Sequence, residues 1–140
     1  MNVRDFRFVI TGAAQGIGAA TARVAAAAGA RVMLSDIDDA AGEANAAAIR
    51  EGGADAHYVH CDVTNEDQIR ALMAAADEKL GGIDVLHNNA GVHESMIDEN
   101  ISLESMSRAT FERILQINLC LLYTSPSPRD LSTSRMPSSA

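Results

Sequence analysis

Thr11-Gly12-Ala13-Ala14-Gln15-Gly16-Ile17-Gly18 is the stretch on which the fold turns. Before it runs Arg7-Phe8-Val9-Ile10-Thr11, a short apolar segment with the pattern of a strand buried on both faces. After it, Ile17 to Ala28 reads as a helix, with Ile17, Ala20, Val24 and Ala27 or Ala28 at helical spacing on a packed face of small residues. Gly29 closes that helix. A glycine-rich turn between a strand and a helix suits a pyrophosphate. Gly12 permits the tight turn, Gly16 removes a Cβ where phosphate lies against backbone, and Gly18 lets helix and sheet approach. The helix start adds free N–H groups and a partial positive charge. Taken alone, the glycines also fit a turn that binds nothing.

Outward from this turn the pattern repeats. Arg31 to Asp36 reads as a second strand and Asp39 to Arg50 as an alanine-rich helix ended by Gly52-Gly53. Ala56 to Cys61 makes a third strand. Thr64 with Asp67 has the form of a capping box, opening a helix that carries Ile69, Leu72, Met73, Ala76 and Leu80 on one face. Gly81-Gly82 stops that helix, and Ile83 to His87 is the fourth strand. Strands alternating with helices predict an α/β fold, a Rossmann-type doubly wound parallel sheet, here cut short after about four strands. From Val92 to Ser107 the pattern weakens into a polar loop with room for one helical turn. A helix resumes near Thr110, with Phe111, Ile114, Leu115 and Asn118 on one side.

Asp36 strengthens the dinucleotide reading. It ends the second strand, eighteen positions after Gly18, where a carboxylate can accept hydrogen bonds from the adenosine ribose hydroxyls. A 2′-phosphate there meets negative charge, Gln15 supplies no cation, and Ile37-Asp38-Asp39 adds more acid. NAD is therefore expected over NADP. A solvated aspartate at a strand end is the plainer reading of Asp36 by itself.

Four segments in order carry a resemblance: Thr11 to Gly18, Cys61-Asp62-Val63, Asn88-Asn89-Ala90-Gly91, and Asn118 within Leu115-Gln116-Ile117-Asn118-Leu119. Their spacing resembles that of short-chain dehydrogenases/reductases over roughly Val3 to Leu119. The resemblance implies an NAD(P)-binding half-domain over residues 1–119. It implies that Gly12, Gln15, Gly16, Ile17, Gly18 and Asp36 hold the cofactor. Asp62 would bind the adenine amino group with the Val63 backbone beside it, and Asn89, Ala90 and Gly91 would line the cofactor ribose. Asn88 is expected to brace the sheet. Asn118 resembles the family's catalytic asparagine, which holds a water leading to the catalytic lysine. An asparagine satisfied by local backbone at a helix end is the alternative.

That family transfers hydride between nicotinamide and an alcohol or ketone carbon. A tyrosine moves the hydroxyl proton, a lysine four residues on lowers the tyrosine pKa, and a serine polarises the substrate oxygen. Without the lysine, a phenol with pKa about 10 is a poor base. Here the tyrosines are Tyr58, in the third strand, and Tyr123, which has Ser127 and not lysine four positions on; the sole lysine is Lys79. The expectation is a family fragment that is inactive as given. Its parent would take a small alcohol or ketone, lie in the cytoplasm and form a homo-oligomer. From Thr124 to Ala140 there are three prolines and six serines without periodicity. Residues 120–140 back-translate, in one frame, to strings resembling sequencing-adapter DNA, so this tail is expected to be non-native; a natural disordered tail is the alternative. A sheet edge at the fourth strand and an uncovered face around Phe111 and Ile114 are expected to make the isolated chain unstable or insoluble.

The 140 residues, 47% hydrophobic, carry a formal charge of −8. Such acidity argues against nucleic acid as a partner. No signal peptide and no membrane-spanning run is visible. Cys61 and Cys120 give neither a disulfide framework nor a metal spacing. His57 and His60, three apart in a strand, point to opposite faces and do not chelate together; His87, His93 and the acidic Glu94, Asp98, Glu99 and Glu104 fit no metal set. Two further classes stay open: a non-catalytic dinucleotide-binding module, and a flavodoxin-like signalling domain, against which the glycine turn and Asn88 to Gly91 both argue.

Overall fold

β1 (Arg7–Thr11) and β2 (Arg31–Asp36) are the central strands, and their alternating side chains build two cores. The computed structural model describes residues 3–97, 102 and 104–120. Among these, β3 (Ala56–His60) and β4 (Val85–His87) complete a four-stranded parallel sheet in the order β3-β2-β1-β4. Ile10, Val32 and Leu34 point to one face, where α1 (Gly16–Ala27) and α2 (Asp39–Glu51) pack through Ala22, Ala26, Ala46 and Ile49. Val9 and Met33 point to the other, under Ile69, Leu72, Ala76 and Leu80 of α3 (Glu66–Leu80). Each fully buried aliphatic chain of this kind contributes about 1.5–3 kcal/mol. Helices on both faces of a parallel sheet make the doubly wound α/β architecture that the sequence pattern predicts.

Beyond β4 come the short α4 (Glu94–Ile97), α5 (Arg108–Leu115) and a π-helical turn, Gln116–Cys120. α5 has no buried residue; Phe111, Leu115 and Leu119 are exposed, and Ile117 of the π turn reaches the α3-side core. Residues 121–140, with Tyr123, lie outside the described residues, as do Asp98 and Glu99 of the acidic loop.

Two local expectations are corrected. Ile17 and Val24, expected on the packed face of α1, are 74% and 70% exposed, and Ala20 is exposed too. The helix instead buries Gly18, Ala19, Ala22, Ala25 and Ala26. It lies so near the sheet that only the smallest side chains fit between, so the branched residues face outward. The cap of α3 also lies one residue later than the Thr64 box. Asn65 accepts from the N–H groups of Asp67 (3.0 Å) and Gln68 (3.2 Å), while Thr64 turns back to Asp62. An Asn side chain is a better N-cap than Thr, and it takes the helix start.

The entry to β4 is pinned to β1 by Asp84. Its carboxylate accepts from the Arg7 backbone N–H at 2.9 Å and from the guanidinium at 2.7 and 2.6 Å, and Asp84 N–H donates to the Arg7 carbonyl. The Arg7 side chain holds the Asp84 carboxyl below the usual carboxylate range. That contribution to stability is complete above the ordinary aspartate pKa and fades as pH falls through the lowered one.

Candidate functional site

Because β1, β2 and β3 run to one side of the sheet's start and β4 pairs on the other, the strand order reverses between β1 and β4. At such a switch point the loops leaving the two strands diverge and open a crevice at their carboxyl ends. All twelve sequence-predicted residues lie on the loops and helix starts at this end of the sheet, or, for Asn118, on the turn bonded to one of those loops.

Thr11 begins the arrangement. Its hydroxyl accepts from the backbone N–H groups of Asn89 and Ala90, both at 3.1 Å, tying the segment after β4 to the end of β1. The Asn89 amide answers by donating to the carbonyls of Thr11 (3.1 Å) and Gly12 (3.0 Å). The side chain of Asn89 thus serves the glycine turn from beneath. Gly12, at φ +65°, sits so close to Ala90 that a Cβ there would stand 2.8 Å from the Ala90 Cα. A Cβ on Gly18 would stand 2.2 Å from the Gly12 carbonyl oxygen. Both glycines are therefore required by packing alone. Gly16 differs: at φ +58°, it has no atom within 4 Å of where its Cβ would be. Gln15 precedes α1 in an extended conformation, and its side chain makes no capping bond. The first N–H groups of the helix have no partner within it, and Ile17 beside them is exposed.

The peptide joining Ala13 to Ala14 is gripped from both ends. The buried Asn45 of α2 donates to the Ala13 carbonyl at 2.9 Å and accepts from Arg23 at 2.9 Å. Ala14 N–H donates to the Asp36 carboxylate at 2.9 Å. The other Asp36 oxygen accepts from the N–H groups of Ile37 (2.8 Å) and Asp38 (3.1 Å). The Asp36 carboxylate is thus bonded into the turn that carries Gly12 and Gly16. Sequence reasoning missed Asn45, whose signal was a lone amide at the helical spacing of buried Gly42, Ala46 and Ile49.

Asp62 stands at the end of β3, its Oδ1 accepting from the Thr64 N–H (2.9 Å) and hydroxyl (2.7 Å). Those Thr64 bonds hold its carboxyl below the usual range, so it is ionised at neutral pH. Val63 beside it is buried. Gly91 and Asn118 meet on the far wall. Asn118 Oδ1 accepts from Val92 N–H at 2.8 Å, and its amide donates to the Val92 carbonyl at 2.7 Å. Both polar ends of Asn118 are thus satisfied by the backbone that continues from Asn89-Ala90-Gly91. Its position in a π turn frees main-chain groups that a regular helix would pair.

Elsewhere, a cavity of about 620 Å³ opens beside Gly29, Gly52 and Gly53, lined by Arg23, Arg31 and Asp55. Among the described residues no group of His, Cys, Asp and Glu is arranged to hold a metal, and no helix is long and apolar enough to cross a membrane.

Comparison with known proteins agrees with this geometry. A family profile, short chain dehydrogenase, matches residues 7–124. Galactitol 2-dehydrogenase of Agrobacterium fabrum is 45% identical over 111 residues, covering 79% of this chain and 40% of that protein. (+)-Borneol dehydrogenase 1 of Salvia officinalis is 40% identical over 111 residues, with 79% and 40% covered. The chain thus spans about two fifths of the length of these curated relatives. Among solved structures, a short chain dehydrogenase/reductase of Burkholderia phymatum in complex with NAD superposes with a TM-score of 0.83 at 29% identity, covering 95% of this chain and 45% of that one. A short chain dehydrogenase of Mycobacterium smegmatis gives 0.80 at 29% identity, covering 89% and 50%.

Proposed function

This chain belongs to the short-chain dehydrogenase family, and from that premise we propose that residues 1–119 are the half that binds a nicotinamide dinucleotide, NAD in preference to NADP. One observation carries the reading. Gly12 and Gly18 are glycines because neighbouring atoms leave no room, but Gly16 faces empty space and still adopts a left-handed conformation at φ +58°. The left-handed turn itself calls for glycine there, and the open space beside it leaves room for a pyrophosphate to approach the backbone. The first N–H groups of α1 have no partner within the helix, and with the helix dipole behind them they suit a pyrophosphate.

The remaining roles follow from position. Asp36 offers its carboxylate to the adenosine ribose hydroxyls, and Asp62 with Val63 borders the adenine. Gln15 closes the phosphate side. Ala90 and Gly91 line the nicotinamide-ribose side, with Asn89 holding the glycine turn in place beneath them. Asn118 positions this wall by clamping Val92. Bound there, the nicotinamide supplies hydride chemistry. The chain's own residues bind and orient it, and with no tyrosine-lysine pair four apart, we assign this stretch binding without turnover. The full protein is then an oxidoreductase of a small alcohol or ketone, cytoplasmic and homo-oligomeric.

The cofactor preference is open to a direct check. The sequence has no tryptophan, so NADH emission can be followed against a quiet protein background. Titration at low salt is expected to show NADH bound about tenfold more tightly than NADPH, the scale of one unfavourable charge contact of about 1.4 kcal/mol. Tighter binding of NADPH would reverse the assignment of Asp36.

A further inference from the structure

Tyr58 has no part in the chemistry expected of the family's tyrosine, but the fold places its hydroxyl beside Asp36. The phenol oxygen lies 2.8 Å from the Asp36 carbonyl and 2.8 Å from the Asp39 carboxylate. His60 Nδ1 approaches the same Asp39 oxygen at 2.8 Å. A phenol has one proton, and both neighbours only accept, so Tyr58 shares that proton in a three-centre hydrogen bond between the last residue of β2 and the first residue of α2. The ring has little freedom to do otherwise. One edge of it lies against Gly42 of α2, where a Cβ would come 2.1 Å from its Cε2. Burial and the Asp39 carboxylate push the phenol above its ordinary value, which keeps it a donor at neutral pH.

The turn under this bridge has few other supports. The Asp36 carbonyl also accepts from Cys61 N–H at 3.0 Å, and Asp38 caps α2 through Ala41 N–H at 3.0 Å. The N–H groups of Ile37 and Asp38 lean on the Asp36 carboxylate itself. The carboxylate is thus held in place from its own backbone, and Tyr58 holds that backbone from the side of α2.

We propose that Tyr58 is a positioning residue for recognition of the adenosine ribose: by tying the Asp36 carbonyl to Asp39 it fixes the β2–α2 turn that presents the Asp36 carboxylate. This rests on the cofactor reading above and deepens it, since it names a residue that sets how well ribose hydroxyls are gripped. Packing alone makes a different forecast, because a ring that merely fills space affects every ligand equally.

Calorimetric titration of the full chain with ADP and with 2′-deoxy-ADP separates the two. The unsubstituted chain is expected to prefer ADP by about tenfold, one charge-assisted hydrogen bond's worth. Tyr58→Phe keeps the ring on Gly42 and is expected to narrow that preference to within about twofold, mostly by weakening ADP, as befits loss of that one bond. Asp39→Ala, which leaves the ring and its hydroxyl in place but removes the acceptor, is expected to narrow it in the same direction and serves if Tyr58→Phe does not fold. A preference unchanged in the folded variants, or an equal loss for both nucleotides, overturns the proposal alone. Failure of the unsubstituted chain to bind ADP or to discriminate overturns the cofactor reading and the proposal with it.

Discussion

Gly18→Ala is expected to destabilise the chain by about 3 kcal/mol, at the upper end of what overpacking costs. The added Cβ would stand 2.2 Å from the Gly12 carbonyl oxygen, 2.8 Å from its carbon and 2.6 Å from the Asn89 amide nitrogen. None of these can retreat cheaply. The Gly12 carbonyl is held by Asn89, and the Asn89 amide also holds Thr11, whose hydroxyl supports the backbone of Asn89 and Ala90. Relief therefore requires α1 to move off the sheet, and with it the buried Ala19, Ala22, Ala25 and Ala26. Gly16→Ala is the control, because it meets no atom and costs only left-handed strain of about 1–2 kcal/mol. Urea denaturation of the two variants reads the difference. Equal midpoints would mean that the glycine turn is not packed as described.

Asp36→Ala is expected to weaken NADH binding by about 100-fold. Hydrogen bonds from ribose hydroxyls to a carboxylate are charge-assisted and worth about 1.5–3 kcal/mol each, and losing the pair after competition with water leaves about 3 kcal/mol. A second loss adds to this, because Ala14 N–H surrenders its acceptor and the Ala13–Ala14 peptide loses one of its two grips. NADPH behaves differently. Removing the carboxylate also removes its repulsion of a 2′-phosphate, so the NADPH deficit shrinks and the preference between cofactors closes or inverts. Fluorescence titration of both cofactors on the variant measures this. NADH affinity within twofold of the unsubstituted chain would remove Asp36 from the site.

The sequence carried the architecture well for a physical reason. Strands buried on both faces need continuous apolar runs, which Phe8-Val9-Ile10, followed by Gly12, and Val32-Met33-Leu34, preceded by Gly29, supply. Helix faces were less legible. Periodicity gives weight to large side chains, so Ile17 and Val24 looked like a packed face, whereas close approach to the sheet selects for the absence of side chain at Gly18 and the alanines. The cap of α3 was misplaced by one residue because Thr64 and Asn65 are both good caps, and only the Asp62 carboxylate decides that Thr64 is engaged elsewhere.

Within the site, residues that suit a ligand could be read from type and spacing, but those that hold them could not. Asn45 and Tyr58 act across sequence separations of 32 and 22 residues, on carbonyls of the chain itself. A backbone carbonyl leaves no mark in a sequence, so its partner looks like an ordinary helix or strand residue. The π turn at Gln116–Cys120 is similar: Asn118 was visible as a motif residue, but its clamp on Val92 was not.

Backbone amide shifts of the isotope-labelled chain on addition of NAD test the central claim most directly. The amides of Gly16, Ile17 and Gly18 are expected to move most, followed by those of Ala14 and Ile37 that lean on Asp36, while Gly52 and Gly53 beside the separate cavity stay still. Shifts gathered at Gly52 and Gly53 with a silent glycine turn, or no shifts at saturating NAD, would contradict it.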